Sequence, residues 1–94
     1  MPRFRKKPVE IEARVYSGTP ENRDEIVAWM RDNGEPATWY ERKSFGKFDC
    51  YVIEVPTLEG THEITPGYYV IQGVEGEFYG CDPGIFEKTY EPVV

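Results

Sequence analysis

TLEGTHEITPGYYVIQGVEGEFYGCDPGIFEKTYEP, running from Thr57 to Pro92, sets short apolar runs between glycine turns and ends on an aromatic-rich tail. Glu59-Gly60, Pro66-Gly67 and Glu75-Gly76 are turn pairs, because glycine accepts backbone angles closed to other residues and proline presets its own. The runs between them, His62 to Ile64, Tyr68 to Val74 and Glu77 to Tyr79, are strand-like and too short for helices, so the chain folds back on itself in antiparallel strands. Leu58-Glu59-Gly60 and Val74-Glu75-Gly76 resemble each other through turn chemistry and do not form a repeat. Asp82-Pro83 then reads as an N-cap followed by proline at the first helical position. It opens a short helix on which Phe86 and Tyr90 share a face, weakened by Gly84. Phe78, Phe86 and Tyr90 are candidate core residues. Pro92 keeps the tail from Thr89 to Val93 extended, placed to pair with the first strand.

Upstream, Val9, Ile11, Ala13 and Val15 alternate with Glu10, Glu12, Arg14 and Tyr16, the period of a half-buried strand. Thr19-Pro20 repeats the cap-and-proline signal and predicts a helix over roughly 20 to 33. In it Ile26, Trp29 and Met30 fall at i, i+3 and i+4 beside Val27, and Glu21, Asp24 and Glu25 load the positive end of the dipole. Asn33-Gly34 closes the helix and Pro36 prevents its continuation. From Ala37 two strand-like runs flank Arg42 to Lys47, which suits a hairpin loop of four to six residues. In the second run Phe48, Cys50 and Val52 share one face and Tyr51, Ile53 and Val55 the other. Apolar on both sides, it belongs at the centre of a sheet.

These elements define the fold class: a single α+β domain over 1–94 with a mainly antiparallel sheet of five or six strands, strand order undetermined. The sheet packs one face on one amphipathic helix, and the short C-terminal helix closes an end. At 94 residues there is no room for a second domain, and 14 aromatic residues offset an apolar fraction of 39%. The net charge of −6 makes duplex nucleic acid an unlikely partner. Arg3, Arg5, Lys6 and Lys7 form a basic, flexible arm over 1–7, closed by Pro8, whose expected role is a solvated leader. No stretch is long and apolar enough for a membrane span or a signal peptide, so a cytoplasmic location is expected.

Cys50 and Cys81 suit neither a CxxC redox pair nor a zinc site and read as small buried hydrophobes. His62, the one histidine, has no second histidine for a metal and sits on an exposed strand. No glycine pattern matches a phosphate loop, and no nucleophile has a base at motif spacing. No catalytic residue, metal or cofactor is therefore expected. Two places remain for a site. In Trp39 to Phe48 cations and aromatics interleave, the composition that stacks bases and neutralises phosphates, although packing aromatics at a hairpin tip explain it equally well; Trp39, Arg42 and Lys43 stand out. The second place is Tyr68, Tyr69 and Tyr79, with Glu77 beside them. If Glu77 points inward it requires Arg14 or a tyrosine hydroxyl, since an unpaired buried carboxylate is costly.

Phe4 to Val9 read FRKKPV, and Pro66 to Tyr79 followed by Cys81 to Glu91 read PGYYVIQGVEGEFY and CDPGIFEKTYE. Together these resemble a family of small phage and prophage proteins of unknown function, which open on FRKKPV-like residues and end on PGDYIIxGVxGEFYPCxPDIFExTYE-like ones. The chain departs from that pattern at Tyr68, Gly80 and Gly84. The resemblance implies a phage or prophage setting and no activity or catalytic residue. The expected function is an accessory, non-enzymatic protein-binding module acting on a host or phage protein, with a homodimer through a strand edge in keeping with that role. The alternative is a binder that sequesters a small, nucleotide-like molecule through Arg42, Lys43 and nearby aromatics.

Overall fold

The structure, a computed structural model, describes residues 2–4 and 9–93; most of the basic arm, from Arg5 to Pro8, lies outside them. The chain is a small α+β domain of six antiparallel strands and two helices among the described residues. The order is β1 (Glu12–Val15), α1 (Pro20–Asp32), β2 (Thr38–Ser44), β3 (Lys47–Thr57), β4 (Gly60–Ile64), β5 (Tyr69–Gln72), β6 (Phe78–Cys81) and α2 (Pro83–Thr89). The strands divide into two three-stranded sheets, ordered β1-β5-β6 and β2-β3-β4. β3 is thus a central strand, as its two apolar faces require. The successive turns of the last third cross from one sheet to the other between β4 and β5, at Pro66-Gly67.

Both helices begin as their caps dictate. Thr19 accepts the Asn22 backbone N–H at 3.1 Å, and Asp82 accepts those of Gly84 and Ile85 at 2.9 and 3.2 Å. Asn33 caps the end of α1, followed by Gly34 in the left-handed region. The apolar face of α1 lies between the sheets: Ile26, Val27, Trp29 and Met30 form the core with Ile53, Val55 and Ile64 of one sheet and Val70 and Phe78 of the other. Trp29 meets Phe78 edge to face, with ring centroids 5.0 Å apart.

Three expectations, two about which side chain faces which way and one about a loop's length, are corrected. Along β1 and the residue after it, the core under α1 takes the opposite parity from the apolar stripe: Tyr16 is fully buried, Arg14 lies over the Trp29 ring, and Val15 is exposed. Ile11 and Ala13 face the other side of their sheet, because α2 and the tail cover that side and supply a second apolar layer. In the hairpin β2 runs to Ser44 and β3 begins at Lys47, so the loop is Phe45-Gly46 alone, both with positive φ. That is the two-residue turn whose twist matches the strands. Finally, the register slips between Arg42 and Lys43, which pair with Cys50 and Phe48, and the unpaired Asp49 turns Phe48 to the Tyr51 side.

Candidate functional site

The slip at Asp49 builds the first candidate surface. On the α1 side of the hairpin sheet, Phe48 packs on Tyr51 with centroids 4.9 Å apart, and Tyr51 meets Trp39 edge to face at 5.4 Å. Arg23 of α1 caps this row, its guanidinium 3.8 Å from the Trp39 centroid and 4.5 Å from that of Tyr51. Arg23 is buried and its charge is met by Asp24 at 2.9 Å. Trp39 remains 39% exposed and Phe48 55%. Beyond them every residue from Lys43 to Asp49 is exposed, and Phe45 at the tip is wholly in solvent. The result is an aromatic strip that starts on the body of the domain and runs out to a free tip.

Arg42 lies on the opposite face of β2. Its guanidinium is 3.3 Å from Glu63, whose other oxygen accepts the Tyr40 hydroxyl. That hydrogen bond raises the Tyr40 pKa. Trp39 and Arg42, singled out together from the sequence, therefore do not converge on one ligand. Lys43 is on the Trp39 side near the tip, paired in register with Phe48.

The second candidate surface lies between β1 and the tail. A groove of about 460 Å³ has Val9, Ile11 and Ala13 along one side and Phe86, Tyr90 and Pro92 along the other, with Tyr69 between them. Tyr69, Phe86 and Tyr90 stack in series, at 3.8 and 5.0 Å between successive centroids. The carboxylates Glu10 and Glu91 also line it. α2 runs through Thr89, correcting the extension expected there, so the tail is extended only from Tyr90; it forms no strand with β1, and the groove separates them. Phe86 and Tyr90 are accordingly half-buried and not part of the core around α1. Tyr79 lies on the same side of its sheet, beside Tyr90, whose hydroxyl favours the neutral phenol and, with burial, pushes its pKa up to about 12.

Glu77 and Tyr68 join neither surface. Glu77 is exposed and its carboxylate turns back to accept the Glu75 N–H at 3.0 Å, closing the β5–β6 turn; Arg14 instead faces Glu12 at 3.5 Å. Tyr68 packs against the main core. Cys50 and Cys81 are half-buried free thiols in different sheets, not the fully buried hydrophobes expected. His62 is exposed on β4. No group of three potential metal ligands, and no helix long and apolar enough to cross a membrane, occurs among the described residues.

Arg23, Phe45, Phe48 and Tyr51 carry the strip, yet the sequence points to none of them individually. The bulge that turns Phe48 has no local signature, and the stacking of Arg23 on Trp39 depends on how the helix docks. Comparison with family models, with curated proteins and with solved structures finds no match.

Proposed function

We propose that the chain is a non-enzymatic protein-binding module, an accessory protein of phage or prophage origin by its sequence resemblance, acting in the host cytoplasm. It engages its partner through the β2–β3 hairpin. The observation that carries this reading is Phe45: a large apolar side chain 105% exposed, on a backbone with φ of 52°. A non-glycine residue in the left-handed region costs on the order of 1 kcal/mol. Asparagine or glycine would serve the turn better. Phe45 gains no contact in its own chain that offsets this cost, so its use lies in a contact outside it. The neighbouring strip of Phe48, Tyr51 and Trp39 has the composition of an interface centre, and the stacked Arg23 holds it rigid.

Affinity capture tests the reading. Host-cell extract is passed over the immobilised chain and over a Phe45→Asn/Phe48→Ser variant, and protein and small-molecule eluates are identified by mass spectrometry. A protein retained by the wild type and lost from the variant is expected. Equal retention by both removes the hairpin from the account. Retention of a nucleotide together with a nucleotide-dependent thermal shift would replace the protein partner by the small-ligand alternative.

A further inference from the structure

The two surfaces complement each other. The hairpin tip presents one exposed aromatic, Phe45, between two cations, Lys43 and Lys47. The groove beside α2 presents stacked aromatic rings, Tyr69, Phe86 and Tyr90, with two carboxylates, Glu10 and Glu91. At about 460 Å³ it lies in the size range of pockets that enclose a side chain or small ligand. An aromatic ring entering it buries roughly 150 to 250 Å² of its own surface and finds ring faces to stack on. In a chain of net charge −6 two copies repel unless local charges of opposite sign are brought together. This pairing brings together two lysines and two glutamates.

We propose that the hairpin tip of one copy docks in the α2 groove of a second copy, with Phe45 in the groove and Lys43 and Lys47 facing Glu10 and Glu91. The inference rests on the reading of the hairpin as the binding element and names a second copy of this chain as an occupant for it. The contact is heterologous, since different surfaces meet. It therefore leads to a ring if the rotation closes and to an open chain of subunits if it does not. One aromatic anchor with a rim of two ion pairs makes a small interface, so association is weak, concentration-dependent and reduced by salt.

Sedimentation equilibrium on the full chain over a range of concentrations tests it. The wild type should rise above the 10.9 kDa of one chain as concentration increases. Phe45→Asn, which suits the turn and keeps the fold, should stay at one chain's mass. A Lys43→Glu/Lys47→Glu variant and a Glu10→Lys/Glu91→Lys variant should each associate about tenfold more weakly, because each makes tip and groove alike in charge. An equimolar mixture of the two restores opposite charge at every contact between unlike variants and should associate more strongly than either variant alone. A wild type that remains a monomer, or a mixture no stronger than its components, overturns self-docking. In that case Phe45-dependent capture of another protein would still leave the hairpin as the binding element, so the two readings fail separately. Association that survives Phe45→Asn undiminished also overturns the proposal and points instead to a strand edge.

Discussion

The hydroxyl of Tyr16 donates a 2.6 Å hydrogen bond to the backbone carbonyl of Tyr51, so the residue just after β1 reaches into the central strand of the other sheet. Its backbone stays with its own sheet, donating to the Tyr68 carbonyl at 2.9 Å and accepting the Gly67 N–H at 2.8 Å. The ring is fully buried in the core and joins the two sheets. Tyr16→Phe keeps the ring and leaves the Tyr51 carbonyl unpaired, at a cost of about 1 to 2 kcal/mol. Tyr16→Ala adds a cavity and should cost about 3 to 5 kcal/mol. Denaturant unfolding measures both; an unchanged midpoint for Tyr16→Phe would mean that the bond contributes nothing.

Phe45→Asn should stabilise the domain by about 1 kcal/mol, because asparagine tolerates the left-handed conformation that phenylalanine occupies under strain. No packing is lost, since the side chain is entirely in solvent. Thermal unfolding should show a higher midpoint while partner capture falls. That combination separates a binding residue from a structural one, for which stability and binding would fall together. A destabilised variant would show that Phe45 holds the turn.

Local chemistry made most of the fold legible from the residues. Thr19-Pro20, Asn33-Gly34 and Asp82-Pro83 place three helix ends because capping is decided within a few residues, and the glycine pairs place the turns for the same reason. The side of the sheet that each residue faces was harder to read. The stripe Val9, Ile11, Ala13 and Val15 is a true period-two pattern, but a sheet covered on both faces has two apolar sides, and alternation cannot say which one receives α1. Tyr16 occupies the main core because its ring spans from one sheet to the other. At the candidate site, the interleaving from Trp39 to Phe48 falls on the β2–β3 hairpin. The unpaired Asp49 then decided which residues converge: it put Phe48 with Tyr51 and left Arg42 on the far face with Glu63.

Gly73 and Glu77 should show strong non-additivity. A Cβ built at Gly73 would sit 1.8 Å from a Glu77 carboxylate oxygen, so Gly73→Ala must expel that side chain and break its bond to the Glu75 N–H. The backbone at Gly73 is not left-handed, so alanine itself is not strained there. Gly73→Ala alone should cost about 1 kcal/mol, and Glu77→Ala a similar amount. Once Glu77 is alanine the clash is gone, and adding Gly73→Ala should be neutral or slightly stabilising through the loss of unfolded-state entropy. A double-mutant cycle by urea unfolding reads this coupling. Additive costs would show that Glu77 does not occupy the space above Gly73.

Tyr79 gives the domain an alkaline signature. Its pKa is pushed up from 10.0 to about 12 by the neighbouring Tyr90 hydroxyl and by burial. The unfolded chain therefore releases this proton near pH 10, and the folded chain near pH 12. Below pH 10 the neutral phenol contributes its full stabilisation; between pH 10 and about 12 the unfolded state binds fewer protons and stability falls. Solvent around the half-buried ring reduces the loss to on the order of 1 kcal/mol. Tyr16, whose pKa is raised by burial, acts in the same direction. The two are separated by comparing unfolding midpoints of the wild type and Tyr79→Phe across this interval. The variant should fall less steeply with pH, and the difference should shrink in Tyr90→Phe, where Tyr79 loses its hydroxyl neighbour and keeps only the effect of burial. Parallel curves for wild type and Tyr79→Phe would show that the Tyr79–Tyr90 pair does not couple ionisation to folding.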